Sequence, residues 1–177
     1  MAFSKNNDYL LTSDFSDNTC LYDRRAKTKY YFNEHTNTSY SVFGNKGLFA
    51  TYSGDGSIII WDIHTRKRLS SDISGLGWHS IKKVNFFDND KRIIAAYNNR
   101  VGIWDVSSGL LLDGFDYPNV QDVFLDDETS IMYILADESL KAYRYPNLQE
   151  LIDVNTEKMK GRTLSLEERE SNSLMEE

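Results

Sequence analysis

An aromatic residue recurs about every forty positions in this chain, each time at the end of a short apolar run. The four stretches are Cys20-Leu21-Tyr22-Asp23, Ile59-Ile60-Trp61-Asp62, Gly102-Ile103-Trp104-Asp105 and Lys141-Ala142-Tyr143-Arg144. The aromatics at 22, 61, 104 and 143 are 39, 43 and 39 residues apart. A fixed period of this length marks a repeat architecture, in which each unit buries its apolar surface on its neighbours.

Within a unit the pattern is that of strands. In the second, Ser39-Tyr40-Ser41-Val42-Phe43 alternates and Gly44-Asn45-Lys46-Gly47 turns. Leu48 to Tyr52 is an apolar strand, Gly54-Asp55-Gly56 a hairpin signal tolerant of positive φ, and Ser57 to Trp61 a β-branched, buried strand. A fourth, polar strand is predicted near Arg68-Leu69-Ser70-Ser71. Four short strands per unit without helical periodicity predict an all-β chain of repeated antiparallel sheets.

Composition limits the alternatives. The 177 residues are 40% hydrophobic and 13% aromatic, enough for a core. No apolar run comes near the ~20 residues that a membrane-spanning helix needs, and the N-terminus lacks a signal-peptide pattern. One cysteine, Cys20, excludes internal disulfides and a cysteine-built zinc site, which points to cytoplasm or nucleus. The net charge of −7 argues against whole-molecule attraction to nucleic acid.

The stretch from Leu48 to Asp62 resembles the core of a WD40 repeat, position for position. The third unit is similar through His79, Val84 to Phe87, Ile93 to Tyr97 and Trp104-Asp105, the first from Ala2-Phe3-Ser4 through Leu10-Leu11-Thr12 to Tyr22-Asp23. The fourth is degenerate, with Tyr143-Arg144 where Trp-Asp would stand. The resemblance covers residues 1–154 and implies about four β-propeller blades, at approximately 1–33, 34–72, 73–115 and 116–154. Residues 155–177 read as an acidic C-terminal tail, disordered or forming a short docking helix after the capping box at Ser165 and Glu168.

His35, Thr51 and Asp55 superficially suggest a catalytic triad. With Trp61 they match the four positions that form a buried structural hydrogen-bond chain in WD40 repeats. The resemblance therefore implies structure, not catalysis, and a threonine without an oxyanion hole or cleft motif has no acyl-transfer rationale. On that reading Asp55→Ala costs about 1–3 kcal/mol. The third unit keeps His79 and Trp104, but its hairpin at Asn98-Asn99 lacks the aspartate. No metal-ligand spacing, phosphate loop or other enzyme signature is present, and no cofactor is expected.

The candidate partner-binding residues are Arg24, Arg25, Lys27, Arg66, Lys67, Arg68 and Trp78. In a propeller the loops after the third strands share one face, so the six bases fall at one end of it. Asp88, Asp90 and Asp126-Asp127-Glu128 fall at the other. Ordinary solvated loop charge explains such a distribution as well. The functional reading is a docking surface for an acidic peptide or an RNA backbone.

WD40 rings usually hold seven blades, which at this repeat length take roughly 280–300 residues. Four blades predict an open arc or part of a larger propeller. Met1 begins inside the first strand, so no strand is left to latch a ring. The flat sides of the end blades then need cover, worth roughly 10–20 kcal/mol before association costs. The expected function is a non-catalytic protein–protein interaction scaffold, a WD40 subunit of a multiprotein complex whose propeller is completed by a partner, a second copy or further sequence. The alternative is an RNA- or nucleoprotein-binding module. The family is mainly eukaryotic. Neither membrane nor small-molecule substrate is expected.

Overall fold

The computed structural model describes residues 1–14, 18–35, 39–69, 73–74 and 81–145. The chain falls into two compact units, Met1–Arg144 and Tyr145–Glu177, and every strand below belongs to the first. Trp78, His79, the strand expected near 148–152 and the tail at 155–177 lie outside the described residues.

The described chain is all β. The first sheet is β1 (Ala2–Phe3), β2 (Tyr9–Ser13), β3 (Thr19–Asp23) and β4 (Thr28–Phe32). The second is β5 (Ser39–Phe43), β6 (Leu48–Ser53), β7 (Ser57–Asp62) and β8 (Ile73–Ser74). The third is β9 (Lys83–Phe87), β10 (Arg92–Tyr97), β11 (Arg100–Asp105) and β12 (Leu111–Asp116), and the fourth β13 (Val120–Asp126), β14 (Ile131–Ala136) and β15 (Ser139–Arg144). Strands pair antiparallel in chain order within each sheet. The fourth strand of the second sheet is Ile73–Ser74, which pairs with Ser57 and Ile58. At the expected position Arg68 bridges to Trp61 and Leu69 N–H donates to Ile60 O at 2.9 Å, while Ser70 and Ser71 lie outside the described residues. Apolar Ile73 is fully buried at this edge.

Successive side chains of a strand point to opposite faces, so a strand between two packed sheets must be apolar on both. This is the case in β6, β7, β10 and β11. Leu48, Ala50, Tyr52, Ile58 and Ile60 pack with Ile93, Ala95, Tyr97 and Trp104 of the third sheet. The alternate residues Phe49, Ile59 and Trp61 pack with Leu11, Leu21 and Phe32 of the first. On the far side of the third sheet, Ile94, Ala96, Val101 and Ile103 are buried where β9 and β10 meet β13. Packing thus runs in chain order, and the first and fourth sheets make no substantial contact among the described residues.

The recurring aspartate has a local cause. Asp23 Oδ1 accepts from the amides of Arg25 and Ala26, Asp62 Oδ1 from those of His64 and Thr65, and Asp105 Oδ1 from that of Ser108. Each closes the turn after a third strand. The next amide then ties that turn to the loop between the first two strands: Arg24 N–H to Asp8 O, Ile63 N–H to Gly47 O, Val106 N–H to Lys91 O, each 2.9 Å.

Candidate protein interface

His35, Thr51, Asp55 and Trp61 meet in one hydrogen-bonded chain, which has Ser57 as a fifth member. Trp61 Nε1–H donates to Thr51 Oγ1 at 2.9 Å, and Thr51 Oγ1 lies 2.9 Å from His35 Nε2. His35 Nδ1 lies 3.0 Å from Ser57 Oγ, whose hydroxyl donates to Asp55 Oδ1 at 2.6 Å. With the imidazole proton on Nδ1, every donor in the run has one acceptor. His35 and Thr51 are buried, and Asp55 stands 3.6 Å from the ring as the outer end of the run. The arrangement satisfies polar groups between two sheets. Ser57 was missed because its position reads as the plain start of a strand.

Trp104 occupies the matching place in the third sheet. Its ring covers Gly102, where an added Cβ would come within 2.2 Å of Cη2. Tyr97 packs against it at 6.2 Å, and its hydroxyl donates to Gly56 O of the neighbouring sheet at 3.4 Å. Burial pushes the Tyr97 phenol well above its ordinary value.

Of the six loop bases, four are engaged within the chain. Arg25 pairs with Asp8 at 2.8 Å and Arg68 with Glu34 at 3.2 Å. Arg66 lies over the Tyr30 ring at 3.7 Å, and Arg24 donates to Asn7 O at 2.6 Å beside the Phe3 ring. Lys27 and Lys67 are exposed. At the acidic end, Asp90 is not solvated loop charge. It is 4% exposed and accepts from Lys46 N–H of the second sheet's loop at 2.5 Å. Asp127 accepts in the same way from Asp88 N–H of the third, at 2.8 and 2.9 Å to its two oxygens. A carboxylate in each later loop thus hooks the loop before it. Among the described residues no group of three or more His, Cys, Asp or Glu side chains is placed to hold a metal, and none of their helices is long and apolar enough to cross a membrane.

Among the described residues, the outward faces of the first and fourth sheets carry exposed apolar side chains. On the first sheet, register places Phe3, Leu10, Tyr22 and Lys29 in one row, with Thr12, Cys20 and Tyr31 in the next. These alternate with Leu11 and Leu21, which face the second sheet, so they face away from it. Phe3 is 51% and Tyr31 64% exposed. On the fourth sheet, Phe124, Tyr133 and Ala142 form one outward row, Asp122, Leu135 and Leu140 another, and Asp126, Ile131 and Arg144 a third. Phe124 is 52% and Leu140 67% exposed. These are the end-blade faces that the repeat count expects to need cover, and the packing order shows which row of each strand lines them.

No family model matches the chain, and no curated protein matches it. Among solved structures it is similar to the computationally designed Ika4 protein, with TM-score 0.69 and 17% identity over 81% of this chain and 88% of that one. It is also similar to the computationally designed Ika8 protein (TM-score 0.69, 18% identity, 81% of this chain, 44% of that one). A chain of the Mitotic Checkpoint Complex gives TM-score 0.70 and 18% identity over 82% of this chain and 50% of that one. The chain therefore spans about half the length of two of these three. At such identities the likeness is one of fold, and it is compatible with a WD40 segment.

Proposed function

We propose that this chain is a non-catalytic protein-interaction scaffold, a WD40-type arc that serves as a subunit of a multiprotein assembly in cytoplasm or nucleus. The observation that carries the reading is the pair of apolar end faces, each built like the buried faces between the internal sheets yet lined by half-exposed Phe3, Tyr31, Phe124 and Leu140. Exposed apolar areas of several hundred Å² are characteristic of protein–protein contact. The buried polar residues support the same reading, since the hydrogen bonds of His35, Thr51, Ser57 and Asp55 are directed at one another. Protein is favoured over RNA as the partner because Arg24, Arg25, Arg66 and Arg68 have partners inside the chain.

A photo-crosslinking amino acid placed at Phe3 and, separately, at Phe124 of the full chain tests this in the chain's native cells. The reading expects each to label a defined polypeptide. Absence of protein adducts at both positions would remove it.

A further inference from the structure

Every internal joint of the arc has the same polarity. The aromatic that ends the third strand faces back, toward the preceding sheet: Trp61 packs with Leu11, Leu21 and Phe32 of the first. Trp104 packs with Ala50, Tyr52 and Ile60 of the second. Tyr143 shares its row with Leu125 and Met132, buried on the side of the third, and its hydroxyl lies 3.1 Å from that of Tyr117. Each sheet thus has a back face carrying this aromatic and a front face that receives the next sheet. At the ends of the arc one face of each kind remains. The first sheet leaves its back face, with Tyr22 at the position of Trp61, and the fourth leaves its front face, with Phe124, Tyr133, Leu135 and Leu140.

From this we infer that the partner at the end faces is a second copy of this chain, joined head to tail, the front face of each fourth sheet on the back face of the other's first. The inference rests on the scaffold reading and names its partner. Shape class supports it, because a back face and a front face are the two halves of a joint that the chain already makes three times. Charge supports it as well. The back face and its rim carry exposed Lys5, Arg24 and Lys29, with Asp8 paired to Arg25, and the front face and its rim carry Asp126 and Glu128, with Arg144 at the outer edge. Opposite charge at the rim of an apolar patch sets register and suppresses pairing of like ends. Two back faces would oppose mostly bases to bases, and two front faces mostly acids to acids.

Ring size decides the number of copies. Propellers close with about four to eight sheets. Two copies supply eight, and three would exceed the range. Two head-to-tail joints related by a twofold axis close the assembly and leave no free end face, which also prevents open-ended growth.

Sedimentation of the purified full chain and of two variants tests the joint. Phe124→Arg blocks the front face and Phe3→Arg the back face, and both positions are half-exposed, so circular dichroism and melting should confirm intact folding. The wild type is expected at twice the 20.5 kDa chain mass. Each variant alone is expected as a monomer, and an equal mixture is expected to pair, because one joint between intact faces remains. A wild-type dimer that persists in Phe124→Arg overturns the head-to-tail joint, and a trimer or larger assembly overturns the eight-sheet ring. A wild-type monomer whose cross-links at Phe3 and Phe124 reach a different polypeptide overturns the second copy and leaves the scaffold reading in place. A monomer with no cross-links at either position removes both.

Discussion

The second and third sheets occupy equivalent places in the arc, each between two neighbours, and place a tryptophan at the same point of the repeat. They use it in different ways. In the second sheet Trp61 is the donor at one end of a polar run through Thr51, His35, Ser57 and Asp55. In the third, Trp104 is a plate laid over Gly102, with Tyr97 against it. The first solution holds a three-residue hairpin tip, Gly54-Asp55-Gly56, through Asp55. The third sheet turns on Asn98-Asn99 alone, with Tyr97 opposite Arg100, and has no hairpin carboxylate to anchor. One repeat pattern thus places Trp61 at the end of a hydrogen-bonded run and Trp104 against a glycine.

Substitutions that strike one device and spare the other separate them. The largest effect is expected from Gly102→Ala. The new methyl would meet the ring of a tryptophan that is 1% exposed and has nowhere to move. Overpacking of this kind costs about 3 kcal/mol, read as a lowered urea midpoint. A shift below about 0.5 kcal/mol would show that Trp104 repacks freely. Next is Thr51→Val, which keeps the shape and removes the oxygen shared by Trp61 and His35. About 2 kcal/mol is expected from the two buried groups left unpaired. An unchanged melting temperature would mean that the run contributes nothing to holding the blade. Asp55→Ala should cost less, about 1 kcal/mol, because its side chain is 24% exposed and water can replace part of what it offers. If it costs more than Thr51→Val, the carboxylate and not the buried hydroxyl is the anchor.

The smallest effect concerns what the two sheets share. Hydrogen bonds from Thr65 hold the Asp62 carboxyl below its ordinary value, and those from Ser107 and Ser108 do the same for Asp105. A carboxyl whose folded pKa is lowered adds stability that is complete above its unfolded value and lost as pH falls through the folded one. Asp62→Asn and Asp105→Asn should therefore each be slightly less stable than wild type above the ordinary carboxyl range, and the gap should close as pH falls below it. A gap that stays constant across this range would assign the effect to geometry, not to charge.

Much of this plan is legible in the sequence. The spacing of Tyr22, Trp61, Trp104 and Tyr143 gives the number of sheets, because a repeat that buries itself on its neighbours must present the same residues at the same interval. Gly54-Asp55-Gly56 and Asn98-Asn99 mark hairpins because their backbone requirements are local. The resemblance supplied His35, Thr51, Asp55 and Trp61 as a group. What the sequence conceals is contact between loops far apart in the chain. Asp90 and Asp127 read as surface acids, yet each reaches a backbone amide about forty residues away. Such a contact leaves no local signature, since any loop has an amide to offer. Arg24, Arg25, Arg66 and Arg68 read as one basic patch for a similar reason. Their partners Asn7, Asp8, Tyr30 and Glu34 lie on other strands or loops, and a linear reading assigns charge to solvent until the fold brings a partner to it. The polarity of the joints, and with it the unlike character of the two ends, follows from which row of each strand faces forward, which depends on the packing order.

The most direct measurement of the central claim uses Cys20, the single cysteine of the chain, which lies partly buried on the back face of the first sheet between Thr12 and Tyr31. The rate of its alkylation by a maleimide is followed while the concentration of folded protein is raised through the micromolar range. The account predicts that the rate falls as the back face is covered, and that Phe124→Arg, on the front face at the other end of the chain, abolishes the protection. A rate that is independent of concentration and unmoved by Phe124→Arg would contradict it.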